Sequence, residues 1–402
     1  MTEIQCDILI AGGGAAGLSA TIAFASAGFR TICVDPVPPV TDAAADGSDL
    51  RSTAFLKPSV ALLDRIGIWP RLAPHAAPLR TMRIVDAGGE ENLPRDTRDF
   101  VAGDVGEDAF GHNVINWRLR REMVAHIETL AHAELRAGVS LDDLLPRTGE
   151  ALARLSDGTR IRARLVIGAD GRESFVRSAL GIGAKTVRYG QKAIVFAVSH
   201  DLPHGDVSTE IHRTGGPFTL VPLPSEDGGY RSAIVWMETG PNADALMNLD
   251  DAAFEAAVNE RSCGVLGPLR VESPKRIWPI ITRKADRLTG QRAALIAEAA
   301  HVMPPIGAQG LNMSLRDIST LLDLVSEARE RGEDIGAPGL LARYERAREA
   351  DVTIRLAGID LLNRASMAEP QILRDMRARG LAVLHGVPAI RHAAMRLGLG
   401  AR

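Results

Sequence analysis

The sequence predicts an α/β fold in which a parallel sheet with helices is combined with an antiparallel sheet and a helical C-terminal segment. Residues 4–11 and 29–35 are apolar runs of strand length, and a small-residue helix from Ala15 to Ala27 separates them. This β-α-β start is typical of a parallel sheet. Between 181 and 276, alternating apolar and polar stretches are split by turns rich in Pro, Gly and Asp, which indicates antiparallel strands. Residues 346–402 carry helical spacing throughout.

The stretches between these segments predict further elements. In chain order they are a loop over 36–50, a helix over 54–66, short strands and turns over 80–100, a helix over 117–137, a meander over 152–168 that ends in a short strand, and a strand, a Gly/Pro loop and a helix after 290.

Composition limits the class of protein. The chain has 402 residues, of which 46% are hydrophobic, and a formal net charge of -3. This length accommodates two or three domains, and the balanced charge argues against nucleic acid as a partner. Three cysteines do not form a disulfide framework, which favours a reducing compartment. No run of about 18 apolar residues is available to span a bilayer. We therefore expect a cytoplasmic protein that is at most peripheral at the inner face of the membrane.

The strongest motif is a glycine-rich turn between the first strand and the first helix. Its residues are Gly12, Gly14, Ala15, Ala16 and Gly17, in the pattern G-x-G-x-x-G. The first glycine permits a tight turn, the second lets the backbone approach a pyrophosphate, and the third lets helix and strand pack closely. Asp35 ends the next strand, where a carboxylate can accept hydrogen bonds from ribose hydroxyls. The motif predicts a Rossmann-like dinucleotide-binding domain.

Two further blocks follow apolar strands. Residues 168–177 (GADGRESFVR) place Asp170 and Gly171 directly after a strand, although Asp and Ser there would also suit a capped turn. Residues 297–312 (AEAAHVMPPIGAQGLN) supply one carboxylate, Glu298, and then a loop whose backbone N–H groups precede a helix. Such a loop can hold an anionic or electron-rich ring edge. Its candidate binding residues are Gly307, Ala308, Gln309, Gly310, Leu311 and Asn312.

In order and spacing, the three blocks resemble the single-component FAD aromatic hydroxylases, the para-hydroxybenzoate-hydroxylase-like family. In that family the first block binds the ADP part of FAD. The Asp-Gly block lies near the pyrophosphate and is implicated in binding both FAD and NAD(P)H, and the third block meets the ribityl chain and the isoalloxazine. Two lesser blocks also match: residues 49–54 (DLRSTA), with Arg51 as the arginine that contacts FAD, and residues 116–118, with Asn116 and Arg118 near the flavin. The resemblance implies FAD as cofactor and NAD(P)H as electron donor.

One departure from the family pattern is visible. The family usually has Gly-Asp-Ala-Ala-His where this chain has Ala297-Glu298-Ala299-Ala300-His301. Glu298 keeps the carboxylate that is expected to meet a ribityl hydroxyl, but it adds a methylene group. The methyl group of Ala297 takes space near the cofactor, so we expect FAD to bind with altered tightness.

The resemblance also implies a layout of interleaved domains. The predicted parts are an FAD-binding domain over 1–78, 113–180 and 277–345, a substrate domain over 79–112 and 181–276, and a C-terminal helical segment over 346–402. Candidate apolar residues of the substrate pocket are Phe196, Phe218, Trp236, Met237 and Pro305, although the first four would also suit an ordinary core.

A segment further along the chain indicates which subfamily the sequence resembles. Residues 309–317 (QGLNMSLRD) resemble a run found in ubiquinone-biosynthesis hydroxylases of the UbiH/UbiF type, apart from Ser314, where that subfamily often has Gly. The implied substrate is a polyprenylated phenol, hydroxylated on the ring with molecular oxygen through a flavin C4a-hydroperoxide. Because the cofactor carries this chemistry, no catalytic acid or base is assigned to the protein.

Other classes of function remain to be distinguished. A flavin-dependent reductase of prenyl chains shares the first and third blocks, and a non-enzymatic FAD-binding assembly factor is an alternative of a different class. A disulfide reductase is disfavoured, because the sequence has no second G-x-G-x-x-G and no C-x-x-C. His301 has no His or Cys partner at ligand spacing, so no metal site is predicted.

The C-terminal tail suggests a membrane surface or a biosynthetic complex as a partner. Residues 371–402 interleave apolar residues with arginines at 374, 377, 379, 391, 396 and 402. Such a basic amphipathic stretch can lie on an anionic membrane. The alternative is a helix that packs its apolar face on the FAD-binding domain and leaves its arginines solvated.

Overall fold

The structure is a computed structural model that describes residues 3–89, 93–226, 228–367 and 370–399. It confirms the α/β class with a parallel sheet, an antiparallel sheet and a helical C-terminal segment. The strands are β1 Glu3–Ala11, β2 Thr31–Asp35, β3 Ser52–Leu56, β4 Ala76–Leu79, β5 Thr81–Asp86, β6 Asp96–Val101, β7 Gly111–Ile115, β8 Ala133–Ala137, β9 Leu141–Pro146, β10 Ala151–Leu155, β11 Arg160–Gly168, β12 Ala184–His200, β13 Val207–His212, β14 Pro217–Glu226, β15 Gly229–Thr239, β16 Leu269–Val271, β17 Arg276–Ala285, β18 Thr289–Gly290, β19 Ala293–Leu295 and β20 His301–Val302.

The helices connect and cover these strands. They are α1 Ala15–Ser26, α2 Lys57–Arg65, α3 Trp69–Leu72, α4 Asn116–Ile127, α5 Phe175–Ala179, α6 Gly240–Met247, α7 Asp251–Arg261, α8 Ala297–Ala300, α9 Gln309–Glu330, α10 Pro338–Ser366, α11 Gln371–Gly386 and α12 Pro388–Leu399, with short 3-10 helices at Ala73–His75 and Ala102–Val105.

The first sheet has the order β18-β19-β11-β1-β2-β8, and β10 and β9 extend it antiparallel from β11. Strand β1 pairs in parallel with both β2 and β11. Ile8, Leu9 and Ile10 of β1 are fully buried, as expected for a parallel strand covered on both faces. Helix α1 follows β1 and is buried from Ala16 to Ala25, because its small side chains let it lie between the sheet and other helices.

The second sheet has the order β20-β17-β12-β15-β14-β13-β5-β6, with β16 paired to β12. Side chains alternate between its two faces. One face carries Phe196, Phe218 and Trp236, which pack with Phe254 of α7. The other face, which includes Val195, borders a cavity that residues next to the first sheet also line.

A three-stranded sheet, β3-β7-β4, joins the two larger sheets. Asn113 of β7 donates to the Pro222 carbonyl of β14 at 2.8 Å. Asn312 of α9 donates to the Ala54 carbonyl of β3 at 2.7 Å and accepts from the Leu56 N–H at 2.9 Å. These side-chain hydrogen bonds link the three-stranded sheet to β14 on one side and to α9 on the other.

Local predictions differ from the structure in two places. The helix expected over 54–66 begins only at Lys57, because residues 52–56 pair with β7 instead. The helix expected over 117–137 ends at Ile127, and residues 133–137 form the strand β8 beside β2. In both cases the residues pair with a neighbouring strand, although the spacing of their apolar side chains is also compatible with a helix.

Two predicted domain boundaries fall inside observed elements. The boundary at 276 lies at the start of β17, which pairs with β12 as far as Ala285. The boundary at 345 lies within α10, which begins at Pro338. The antiparallel sheet and the helical segment are therefore both longer than the sequence alone indicated.

A buried network of charged side chains links α10 to α9 and to the turn after β19. Asp317 of α9 accepts from His301 Nε2 at 2.7 Å, from Arg348 Nε at 2.7 Å and from the Ala297 N–H at 3.1 Å. Burial acts to raise the pKa of Asp317, but His301 and Arg348 outweigh it and hold that pKa below its usual range. Arg348 in turn donates to Asp351 at 2.7 Å. Asp317 is therefore a buried carboxylate whose charge is fully partnered.

Helices α11 and α12 pack on the antiparallel-sheet domain through charged side chains. Arg377 donates to Asp86 Oδ1 at 3.2 Å, and Arg391 lies 3.5 Å from Asp104. The alternative in which the tail leaves its arginines solvated is wrong for Arg377 and Arg391, because Asp86 of β5 and Asp104 lie opposite them. Arg402 lies outside the described residues.

The outward sides of α10 and α11 carry exposed apolar side chains, with Arg379 among them on α11. Six large side chains on these helices are each more than half exposed: Ile354, Leu361, Leu362, Ile372, Met376 and Val383. We call them the apolar outer face. Within each helix their spacing places them on one side. No helix in the described ranges is long and apolar enough to cross a bilayer.

The charge network leads to a stability prediction. Arg348→Met leaves the buried Asp317 carboxylate short of a partner, so we expect the free energy of unfolding to fall by about 3 kcal/mol or more. The matched control is Arg331→Met, because Arg331 pairs with Glu327 at the surface, where a loss of about 1 kcal/mol at most is expected. Urea denaturation followed by tryptophan fluorescence measures both. Equal losses from the two variants would contradict the role of the network.

Candidate active site

One cavity of about 610 Å³ lies between the two large sheets. The turn after β1, the segment around Arg51, the start of α4, the turn after β11 and the loop before α9 form one side. The cavity-facing side chains of the antiparallel sheet form the other. Loops at the carboxyl ends of β1, β11 and β19 converge here, which is the usual position of a ligand site in a parallel sheet.

The glycine-rich turn has the geometry of a phosphate cradle. Gly12 has a φ of +106°, and a Cβ there would lie 2.3 Å from the Ala169 carbonyl oxygen. A Cβ at Gly17 would lie 1.8 Å from the Gly12 carbonyl oxygen, so close packing of helix on strand requires glycine. Gly14 is the N-cap of α1 and lines the cavity with Ala15 and Ala16, and a Cβ there would meet no protein atom within 4 Å. The free N–H groups of α1 therefore face open space, as binding of an anion requires.

Asp35 supports this turn from behind. Its carboxylate accepts from the Gly13 N–H at 2.5 Å and from the Val37 N–H at 2.7 Å. Asp35 is not among the residues that line the cavity. The carboxylate therefore orients the glycine turn, and the ribose contact that the sequence predicts for Asp35 stays a prediction.

A polar cluster lines the cavity beside the turn. Asp49 receives two hydrogen bonds from Arg51, at 2.7 and 2.8 Å, one from Arg120 at 3.1 Å and one from Asn116 at 3.2 Å. Burial acts to raise the pKa of Asp49, but these partners outweigh it and hold that pKa below its usual range. The Arg51 guanidinium also lies 4.6 Å from the centre of the Trp278 ring. The cluster therefore presents arginine N–H groups held in fixed positions.

Arg120, which the motifs did not single out, takes the place expected for Arg118. Arg118 is not a cavity residue, and its guanidinium stacks 4.4 Å from the Trp117 ring. Helix α4 begins at Asn116, and residues four apart share a helix face. Helical spacing from Asn116 would therefore have identified Arg120 from the sequence.

In the Asp-Gly block, the residues that follow Asp170 line the cavity, whereas the Asp170 carboxylate does not. Asp170 accepts from Ser174 Oγ at 2.5 Å and from the Val176 N–H at 2.9 Å, so it shapes the start of α5 and does not line the cavity. Gly171 and Arg172 do line it. Asp170 therefore caps the turn, as one of the two interpretations of the sequence expected, while cofactor binding by this block stays a prediction.

Ala297 has a left-handed backbone conformation. Its φ is +55°, in a region that favours glycine and costs other residues about 1–2 kcal/mol. This is the position where the resembled family has glycine, and the Asp317 carboxylate holds its N–H. Next to it, Glu298 lines the cavity and lies 3.4 Å from Arg172. His301 also borders the cavity, but Asp317 binds its Nε2, and the described residues contain no cluster of three or more metal-ligating side chains.

The loop before α9 closes the cavity. Pro304 and Pro305 line it, as do Gly307, Ala308, Gln309, Gly310 and Leu311. Gln309 is held from both sides, since its Nε2 donates to the Gly307 carbonyl at 3.0 Å and its Oε1 accepts from Arg355 at 3.1 Å. Asn312 differs from the expectation: it does not line the cavity, and its amide ties α9 to β3.

The wall contributed by the antiparallel sheet is mainly aliphatic, with Met82 and Trp278 among its larger side chains. Its aliphatic residues include Ala193, Val195, Val221, Ala233 and Val235. Of the residues proposed from the sequence, Phe196 and Pro305 border the cavity, although the Phe196 ring packs 5.1 Å from the Phe254 ring on the far side of the sheet.

The other three proposed lining residues do not border the cavity. Phe218 and Trp236 lie on the far face with Phe254, and Met237 is covered by Ile306 and Ile359. Phe218 and Trp236 are instead part of the close-packed core on the far face of the sheet.

Comparison with known proteins places this geometry in a family. The family model described as FAD binding domain matches residues 5–354. The chain belongs to this FAD-binding family. It is 34% identical over 394 residues to the ubiquinone hydroxylase UbiL of Rhodospirillum rubrum, covering 98% of this chain and 89% of the relative. It is 28% identical to the 3-demethoxyubiquinol 3-hydroxylase of Escherichia coli over 100% of both chains.

A solved structure has the same fold. The p-nitrophenol 4-monooxygenase PnpA of Pseudomonas putida superposes with a TM-score of 0.80 over 100% of both chains, at 18% identity. The match to the FAD-binding family model confirms FAD as the cofactor. The cavity fits it, because the N-terminus of α1, the N-terminus of α9 and three arginines (Arg51, Arg120 and Arg172) all face the space that an anionic dinucleotide needs.

The glycine turn leads to a binding prediction. Gly14→Val places a branched side chain in space that is open in the protein, so we expect the apoprotein to fold but to lose FAD. Asp35→Ala removes charge-assisted hydrogen bonds from the turn, and we expect FAD affinity to fall about tenfold. The ratio of absorbance at 450 and 280 nm and the melting temperature of each apoprotein measure these effects. Retention of FAD by Gly14→Val would contradict the placement.

Proposed function

We propose that this protein is an FAD-dependent monooxygenase that hydroxylates the ring of a polyprenylated phenol in ubiquinone biosynthesis. The main observation in support of the proposal is a cavity that extends from the glycine turn to the apolar wall of the antiparallel sheet. Similarity to a ubiquinone hydroxylase over 98% of the chain supports the same reading.

The residues of the cavity suit oxygen chemistry on an aromatic ring. The bound flavin would supply the activation of oxygen. The protein's part is to hold the ring against the cofactor and to keep water out. The aliphatic wall, with Val195 and Val235, and the Pro304–Pro305 turn serve exclusion of water, and the α9 N-terminus serves to position the cofactor.

We propose NAD(P)H as the electron donor. The one G-x-G-x-x-G of the sequence is assigned to FAD, so a donor has no second dinucleotide fold of that kind to occupy. It must therefore reach the flavin through the cavity itself. Arg172, which lines the cavity and pairs loosely with Glu298 at 3.4 Å, is a candidate contact for the donor's phosphates.

We further propose that the protein works in the cytoplasm and docks peripherally on the membrane through its apolar outer face. A polyprenyl chain is dissolved in the bilayer, so the enzyme must meet it there. Apolar side chains on one side of α10 and α11 suit insertion among lipid acyl chains. The arginines of the tail contribute less than the sequence indicated, because Arg377 and Arg391 face the protein.

The activity has a direct test. The gene is introduced into bacterial strains blocked at each ring hydroxylation of ubiquinone synthesis, and lipid extracts are analysed by mass spectrometry. We expect one strain to regain the intermediate that carries one more oxygen atom, and the purified protein to consume oxygen with NADH or NADPH when a prenylated phenol is added. The Gly14→Val variant is the control and should do neither. Oxygen uptake without a hydroxylated product in any strain would reject the proposal.

The membrane contact is tested by co-sedimentation with phosphatidylglycerol-containing liposomes. We expect a variant with Ile372, Met376 and Val383 changed to Ser to bind at least tenfold more weakly, because each buried apolar side chain contributes about 1.5 kcal/mol or more. A second variant, with the exposed Arg396 of α12 changed to Gln, should retain most of the binding. If intact protein stays in the supernatant, or the apolar variant sediments equally, the outer face does not bind lipid.

A further inference from the structure

Among the described residues, the cavity wall formed by strands β5 and β12 to β17 of the antiparallel sheet contains one ionisable side chain; His301 of β20, which also borders the cavity, is bound to Asp317. The ionisable residue of the wall is Glu210, and aliphatic or hydroxyl side chains account for most of the other lining residues of these strands. A carboxylate in such a wall is desolvated, and this costs free energy unless a partner is present.

Only one of the two carboxylate oxygens of Glu210 has a polar partner among the described residues. Its Oε1 lies 2.6 Å from His212 Nε2, two residues further along β13, and its side chain is 17% exposed. Its Oε2 makes no hydrogen bond to any described residue, and it is not closed off within the protein. One carboxylate oxygen is therefore available to a donor that enters the cavity.

The neighbours of Glu210 extend this polar end of the cavity. Thr219 lies directly opposite Glu210 in the pairing of β13 with β14, and Ser208 precedes it on the same face. The next positions across the sheet are Val235 and Val195. The wall therefore changes from hydroxyl and carboxylate groups to aliphatic groups within three strands, which matches an aromatic ring with a polar group at one end.

We infer that Glu210 accepts a hydrogen bond from a ring hydroxyl of the substrate and so selects phenols. This inference rests on the proposed function and names the residue that recognises its substrate. The proton stays between the phenol oxygen and Oε2, and no bond to carbon changes. The hydrogen bond orients the ring and increases the electron density of its carbons, which hydroxylation by an electrophilic oxygen requires.

A substrate without that hydroxyl would leave the carboxylate desolvated and without a donor. Hydrogen bonds to charged groups contribute enough to separate two ligands by about tenfold or more. The site should therefore bind a phenol more tightly than its O-methyl ether, although the ether is the more apolar molecule.

The experiment uses the purified FAD-loaded protein and two probes, 2-prenylphenol and its O-methyl ether. Dissociation constants come from the change in flavin absorbance on titration without an electron donor. We expect wild type to prefer the phenol about tenfold or more. Glu210→Gln should reduce the preference to a few-fold and Glu210→Leu should abolish it. Glu272→Gln is the matched control, because Glu272 pairs with Arg231 away from the cavity and should leave the ratio unchanged.

FAD content and melting temperature verify that each variant is folded. If Glu210→Leu does not fold, the near-isosteric Glu210→Gln still tests the preference for the phenol. If wild type hydroxylates the phenol but Glu210→Gln keeps the full preference, the inference about Glu210 is wrong and the proposed function stands. Equal binding of phenol and ether by wild type would also overturn it. If wild type hydroxylates no prenylated phenol at all, the proposed function itself fails, whatever the ratio.

Discussion

The buried carboxylate of Asp317 is the constraint on which the arrangement of the site depends. It sits on α9, the helix whose N-terminus closes the cavity, and it binds the backbone at Ala297, the ring of His301 and the guanidinium of Arg348. These partners belong to the turn after β19, to the antiparallel sheet and to α10. A single unprotonated side chain thus sets the relative positions of both domains and the C-terminal helix. Its burial would be unfavourable without each of these partners.

Much of the fold could be predicted from local sequence. The glycine turn, β1 and α1 are specified within a few residues by apolar patterning and by positions that tolerate only glycine, so they were correctly placed. The carboxylate of Glu298 and the loop from Pro304 to Leu311 were found by their order along the chain, and they do line the cavity. Membership of the FAD-binding family and FAD itself are confirmed.

The rest depended on contacts between distant residues. Hydrophobicity alone could not show that Phe218 and Trp236 point away from the cavity, because the face of a strand is decided by what packs on it. The inward turn of Arg377 required Asp86, which is far away in sequence. Asn312 was assigned to the cofactor by its motif, yet it bonds the backbone of β3. The polyprenyl chain and the nicotinamide donor remain predictions.

The apolar outer face of α10 and α11 has a practical consequence for the isolated protein. In aqueous buffer, with nothing to cover it, such a surface favours association of one copy with another. The apparent size of the purified protein would then change with detergent, lipid and protein concentration. A dimer or larger species seen by gel filtration would report how this surface was covered during purification, and detergent would have to be varied before any stoichiometry is assigned.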